Sequence, residues 1–446
     1  MKKHKSGTFH KISMTVVSCS LAATASFATI SPAYAEDADN LLTDMGHTLS
    51  DAGIYLQGSY VGQFAAAADG GLHPHSTAYE DQIYVGANFD MKKIAGINGG
   101  LFDVDFVNRD GTELPTGNAI NVQNIGFNTY MLTEFAWDQK LGDSFEAKFG
   151  RLSVDDYFDV DPTVCNGTFM NDGMCGQPGI MLRDTDATWW PLPSWGAWAK
   201  QKFGDFALQV GVYQAFPDAA YKVINNHGVW FGDHGGTSDG VWLPVQLTYD
   251  TTGSNDPYPV RFMIGDVHGP SSGVSRTGAT LMHEGENYLY VLGKINVTRP
   301  DLSADRGLWL FATAETASDA STEPEDYSYQ IGAVQQGTWA SRPGDSINFV
   351  VDAEHLSKNE VNLIDTTRLA QPVSMGAYQL MSASNYMMEL SYKAVITPWM
   401  NLLPNVQYVI NPDGNGGNNR GNIPNAFVVG LQFSVDFPGI MGIPNQ

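Results

Sequence analysis

The sequence has 446 residues and carries 48 acidic against 24 basic side chains, a formal net charge of −24 at pH 7. So large an excess of negative charge excludes nucleic acid and anionic lipid surfaces as natural partners. The length and the 43% of hydrophobic residues are sufficient for at least one large domain.

The N-terminus has the features of a secretory signal peptide. A basic region precedes a mostly apolar or small stretch at 12–30, and small residues stand before a cleavage point after Ala35. We therefore assign residues 1–35 to a cleaved signal. A lipoprotein signal ending at Cys19 is the alternative, although the apolar run before Cys19 is short. The basic residues are Lys2, Lys3, Lys5 and Lys11.

A short helix is predicted directly after the signal. Apolar residues recur at helical spacing between positions 41 and 49, and Gly53 can end a helix. We assign residues 36–52 to this N-terminal periplasmic helix.

Alternation of apolar and polar side chains dominates the rest of the chain. From Phe427 to Phe437 every second residue is large and apolar, and most intervening residues are small or polar. Segments 205–214, 287–298 and 385–397 have the same period of two, which is typical of a strand with one apolar face. We count about sixteen such segments, and their lengths match the roughly 9–11 residues that a tilted strand needs to cross a bilayer.

This pattern predicts an all-β fold: a transmembrane antiparallel β-barrel of about sixteen strands at residues 53–437, with a C-terminal tail at 438–446. In hydrocarbon every backbone polar group must be paired, and a closed sheet has no unpaired edge. A barrel of this size also leaves a water-filled lumen. A soluble periplasmic β-sandwich or propeller is the alternative, but its strands are usually shorter.

The long irregular stretch at residues 154–195 combines tryptophans with charged side chains. Aromatic rings stack on the apolar face of a sugar, and charged groups exchange hydrogen bonds with its hydroxyls. We expect this stretch to fold inward as a constriction loop; a surface loop with solvated charges is the alternative. Its candidate pore-lining residues are Asp155, Asp156, Arg183, Trp189, Trp190 and Trp195.

Further pore-lining candidates lie on or near predicted strands. Arg151 has the parity of a lipid-facing residue, which at the midplane would cost about 2–4 kcal/mol. We therefore expect it past the strand end or after a bulge, pointing inward. Arg342 and Asp345 could be a lumen pair or an ion pair that fixes a turn. The residues expected to face the lumen from the polar side of their strands are Glu389, Lys393, Gln407 and Asn411.

Cys165 and Cys175 are the cysteines that remain after the signal, ten residues apart in an exported chain. This spacing predicts one local disulfide, with a free pair as the alternative. The histidines have no Cys or Glu partner at ligand spacing, and no nucleophile motif occurs, so we predict no metal, no cofactor and no catalytic residue.

Several stretches resemble the carbohydrate-selective porin family of the OprB type. The most specific is residues 404–412, which read PxxQYxxNP. Residues 141–158 resemble the family's "GRL…DDxF" strand and loop. Weaker similarities occur at 165–169, 191–196, 337–345, 388–392 and 425–437, so that the resemblance extends over nearly the whole chain after the signal.

The resemblance implies an outer-membrane barrel that admits mono- and oligosaccharides into the periplasm by passive, carbohydrate-selective diffusion. It implies sugars as solutes, and outer-membrane lipid, lipopolysaccharide and the assembly machinery as partners; a homotrimer is an open option. Within porins, the alternatives are a pore for polyols or sugar acids and a general diffusion porin. An outer-membrane barrel enzyme is the alternative outside them. Such barrels usually end on an aromatic residue, whereas here Phe437 is followed by residues 438–446.

Overall fold

The structure is a computed structural model. It describes residues 32–118, 120–126, 128–158, 161, 167–174, 190–215, 228, 240–252, 256–269, 286–299, 306–317, 325–370, 382–412 and 423–442. Arg183, Trp189, Cys165 and Cys175 lie outside these residues.

The described residues form sixteen strands, each antiparallel to its neighbours, and β16 pairs with β1 to close the barrel. The strands are β1 Ile54–Asp69, β2 Thr77–Asp90, β3 Gly100–Thr112, β4 Thr129–Leu141, β5 Phe145–Leu152, β6 Ser194–Phe203, β7 Phe206–Ala215, β8 Gly240–Asp250, β9 Val260–Gly269, β10 Glu286–Thr298, β11 Gly307–Ala317, β12 Glu325–Gln336, β13 Ser346–Leu356, β14 Ser384–Thr397, β15 Met400–Ile410 and β16 Ala426–Asp436.

The outer surface of the barrel is apolar. Along β7, Leu208 and Val210 are exposed, whereas Gln209 and Tyr213 between and beyond them are buried. Strand β16 repeats the pattern with exposed Phe427 and buried Gln432. Since side chains alternate between the faces of a strand, the exposed apolar series faces outward and the buried series faces the lumen.

The two ends of the barrel differ. One end, here called the turn end, has short connections such as 142–144, 204–205 and 398–399. The opposite end, called the loop end, carries the longer connections. This asymmetry is typical of outer-membrane barrels, whose periplasmic turns are short.

Four α-helices occur in the described part of the chain: α1 Pro32–Asp51, α2 Met91–Ala95, α3 Lys358–Ala370 and α4 Phe437–Ile440. Helices α1 and α4 contact each other and β1 at the turn end. None of the described helices combines the length and apolar character needed to cross a membrane.

The predicted fold class is confirmed: the chain is a sixteen-strand antiparallel barrel with a short N-terminal helix. Helix α1 begins at Pro32, a few residues before the position predicted for signal cleavage.

Candidate functional site in the barrel lumen

A first lumen segment, residues 113–128 between β3 and β4, folds into the barrel. The Nε2 atom of Gln407, on the inner face of β15, donates a hydrogen bond to the carbonyl of Val122 at 2.9 Å. The side chain of Gln123 donates to the carbonyl of Gln63 on β1 at 3.0 Å. The buried apolar residues of this first lumen segment are Leu114, Ile120, Val122 and Ile125. They pack against inward-facing apolar residues of β1 and β14–β16 and form an apolar cluster on this side of the lumen.

A second lumen segment lies between β5 and β6, and its described residues, 153–158, 161, 167–174 and 190–193, contact the wall at several places round the barrel. In chain order, Phe158 packs edge-on against Tyr213 of β7, Asp161 lies 2.8 Å from Lys294 Nζ of β10, and the Thr168 carbonyl accepts from Ser391 Oγ of β14 at 2.6 Å. A segment that reaches the inner faces of β7, β10 and β14 has to cross the lumen.

The two lumen segments are bonded to each other. The N–H of Asp172 donates to the carbonyl of Asn121 at 3.1 Å, and the N–H of Asn121 donates to the Asp172 carboxylate at 2.7 Å. These reciprocal hydrogen bonds join the middle of one segment to the middle of the other. The pair therefore narrows the barrel as a joined structure.

Trp190 lies near the end of the second lumen segment, half-buried, and packs against a buried apolar cluster of Val107, Met131 and Leu192 as well as polar partners. The backbone N–H of Trp190 donates to both carboxylate oxygens of Asp155, at 2.8 and 2.9 Å. The guanidinium of Arg109 on β3 lies 4.8 Å from the centroid of the indole, which is a cation–π geometry. Tyr84 of β2 meets the same ring edge-on at 6.3 Å.

The inner wall beside Trp190 is strongly acidic. Lys148 of β5 is 2.7 Å from Asp103 and also forms an ion pair with Glu134. Tyr157 donates to Glu134 at 3.2 Å. In this region the carboxylates of Asp103, Glu134 and Asp155 outnumber the cations Lys148 and Arg109, so the local field is unfavourable for anions.

Asp156 adds a further carboxylate to this region. It lies in the short 3-10 helix Val154–Asp156 of the second lumen segment. Withdrawal from bulk water inside the barrel, together with the carboxylates of Asp155 and Glu134, raises the pKa of Asp156 well above its ordinary value.

Two predicted pore-lining residues have the outward parity. Trp195 on β6 is 41% exposed and pairs with Arg151 on β5, next to outward-facing Phe149. Strand β6 begins at Ser194, whose side chain is buried. Because side chains alternate between the two faces of a strand, the side chain of Trp195 lies on the outer surface. Arg151 is neither past the strand end nor after a bulge; it is 3% exposed and its Nη2 donates to the Pro193 carbonyl at 2.9 Å.

Arg342 and Asp345 form an ion pair that fixes the turn between β12 and β13, so the turn interpretation is the correct one. Arg342 also donates to the carbonyl of Val395 at 2.9 Å. Although burial raises the pKa of Asp345, hydrogen bonds from Arg342, outward-facing Tyr392 and the Val395 N–H outweigh it and keep that pKa below its ordinary value.

Asn411 lies just beyond the end of β15 and is hydrogen-bonded to the start of β14 instead of facing the lumen. Its Nδ2 donates to the Ser382 hydroxyl at 3.1 Å and to the Ser384 carbonyl at 3.0 Å. Lys393 is half-buried on the inner parity of β14, the parity it shares with Glu389.

Important lumen residues were not predicted from the sequence. Arg109, Glu80 and Tyr84 lie on β2 and β3, and Arg109 shares the inward parity of Asp103 and Asp105. The alternation of Asp103, Asp105 and Arg109 in the sequence could have indicated that Arg109 faces the lumen. The apolar character of 113–128, unusual for an exposed loop, was a further signal for an inward fold.

A closed antiparallel barrel with an apolar outer surface and two segments folded into its lumen defines the class of protein: an outer-membrane porin. Porin B of Pseudomonas aeruginosa is 28% identical over 422 residues, covering 87% of this chain and 88% of that protein. The putative porin QuiX of Acinetobacter baylyi is 26% identical over 434 residues, covering 91% and 94%. The high-pH structure of Pseudomonas putida OprB superposes with a TM-score of 0.76 at 24% identity, covering 87% and 96%.

The family model for the carbohydrate-selective porin, OprB family, matches residues 74–437, and the chain belongs to this family. The prediction of an outer-membrane carbohydrate porin is confirmed at the level of the family. Family membership identifies the chain as a channel protein of the outer membrane.

Proposed function

We propose that this porin lets neutral mono- and oligosaccharides diffuse passively into the periplasm through an eyelet bounded by the two lumen segments. The observation that carries the proposal is the group formed by Trp190, Arg109 and Asp155 inside the barrel. An indole ring offers an apolar face, and charged groups beside it offer hydrogen bonds to hydroxyls. A pyranose presents both kinds of surface at once.

The charge of the lumen favours neutral sugars over sugar acids. Asp155 is bonded to Trp190, and Asp103 and Glu134 lie on neighbouring strands of the same side of the lumen, where Lys148 and Arg109 are the cations beside these carboxylates. An anionic solute entering this low-dielectric region would meet like charges. Neutral polyols, which share the hydroxyls of a sugar without its ring, are the second candidate solute.

We further infer how the protein is exported and assembled. The basic N-terminal region and the small residues before position 36 support cleavage of the signal after Ala35. The apolar outer surface supports insertion into outer-membrane lipid beside lipopolysaccharide, with the help of the assembly machinery. Assembly as a homotrimer is a prediction that chemical cross-linking of purified protein would test.

The proposal is tested by sugar block of ion current in planar bilayers. Glucose and maltose should reduce the single-channel current in a saturable manner, whereas gluconate at the same concentration should have a weaker effect. Equal block by gluconate would contradict selection by charge. A current that no sugar reduces would contradict a sugar site at the eyelet.

A further inference from the structure

Two buried glutamates hold the lumen segments in the same way. Glu80 of β2 accepts hydrogen bonds from two consecutive backbone amides of the first segment, Ile125 at 2.9 Å and Gly126 at 3.2 Å. Glu389 of β14 accepts from two consecutive amides of the second segment, Met170 at 2.9 Å and Asn171 at 3.1 Å. Both glutamates are fully buried on the inner face of the barrel.

A carboxylate is well suited to this role. Each of its oxygens accepts hydrogen bonds, and bonds to an ionised acceptor are about twice as strong as bonds between neutral groups. Consecutive amides that point at one anion satisfy the charge, which would otherwise be costly to bury. The side-chain amide of Asn171 adds a third bond to Glu389 at 2.6 Å.

The reciprocal hydrogen bonds between Asn121 and Asp172 make the two attachments interdependent. Asp172 is two residues from Met170, and Asn121 is four residues from Ile125. Displacement at either glutamate is therefore transmitted to the other segment through a short length of chain.

We propose that Glu80 and Glu389 are positioning residues that together set the aperture and rigidity of the eyelet. The inference rests on the proposed function, in which the two segments bound the passage for sugars. Glutamine in place of glutamate keeps the volume but turns one acceptor into a donor that faces a backbone N–H. The Glu80→Gln and Glu389→Gln variants should therefore undock their segments part of the time.

Single-channel recording in KCl, without sugar, tests this directly. Loss of a hydrogen bond to a charged group should lower the ratio of docked to undocked states by roughly tenfold or more. Each variant should show noisier current with excursions to larger conductance. The increase in current noise in the double variant should exceed the sum of the increases in the two single variants. Swelling of liposomes by sugars is measured separately, so failure of sugar passage and failure of the anchors are distinguishable.

Asp138→Asn is the matched control. Asp138 is a buried, inward-facing acid on β4 that pairs in register with Lys148 of β5. The variant removes one inward-facing carboxylate from a wall strand, and should leave the noise as in the parent. Heat-modifiable migration on gels verifies that each barrel has folded. Glu389→Asp, which keeps two acceptor oxygens, should be quieter than Glu389→Gln.

The proposal is overturned if both glutamine variants record like the parent, or if Asp138→Asn is equally noisy, since loss of a buried carboxylate anywhere on the wall would then be sufficient. Additive effects in the double variant, or an aspartate variant noisier than the glutamine variant, would also contradict it.

Discussion

Trp190 is fixed by contacts on several sides, so its ring offers a rigid surface to a solute. Its backbone N–H is held by Asp155 and its ring by Arg109. Replacement with Ala should weaken sugar block of the ion current by roughly two- to tenfold, because one good aromatic contact contributes about 0.5–1.5 kcal/mol. Single-channel titration with maltose measures the half-blocking concentration.

Trp195→Ala is the control for this prediction. Trp195 is on the outer surface, five residues away in the chain. Its loss should leave the half-blocking concentration unchanged. If the two variants weaken block equally, the sugar site does not include Trp190.

The cysteine pair lies outside the described residues, and its disulfide stays a prediction. A loop of ten residues closed by a disulfide is stabilised by roughly 2–3 kcal/mol, which is felt mainly by that loop. Changing Cys165 and Cys175 to Ser should keep the heat-modifiable barrel but make the current noisier. If the current noise is unchanged under oxidising conditions, the cysteine pair does not stabilise the eyelet.

At the scale of elements, helix α4 packs at the turn end of the seam where β16 pairs with β1. The Asp436 carboxylate accepts from the Gly439 N–H at 2.7 Å and caps the helix, Pro438 is buried, and Phe437 lies against Gly58 of β1. The contact with Phe437 leaves no room for a side chain at position 58. Helix α4 thus adds side-chain contacts to the hydrogen-bonded pairing of the last strand with the first.

Truncation after Phe437 should therefore lower the thermal stability of the barrel without preventing its closure. A cap of this kind contributes about 1 kcal/mol, to which the burial of Pro438 adds. The temperature at which the folded band is lost on gels should fall, while deletion of 443–446 alone should not change it. An unchanged midpoint after the longer deletion would contradict a role for α4 at the seam.

The strands were predictable because their signal is local. Alternation in 205–214 and 426–437 identifies both the strand and its outward face, and β7 and β16 follow it. The first lumen segment was missed, because its docking depends on Gln407 and Glu80, which are distant in sequence. Trp195 was misplaced because a boundary error of two residues assigned it to a loop.

For the whole molecule, the two lumen segments divide the interior into unlike parts. The apolar residues of 113–128 fill the side next to β1 and β14–β16. The side next to β2–β5 carries Trp190, Arg109 and the carboxylates around Lys148. A hydrated solute should therefore pass along the polar side, where its hydroxyls find partners and its charge, if negative, is repelled.

Swelling of liposomes that contain the purified protein tests most directly whether the pore passes sugars selectively. Liposomes are placed in isotonic solutions of neutral sugars and of zwitterionic amino acids of similar size, and the initial swelling rates are compared. Selective passage of sugars predicts faster swelling in glucose than in the amino acids, and a Trp190→Ala variant that reduces this difference. Equal rates for both classes of solute, with no effect of the substitution, would contradict a carbohydrate-selective pore.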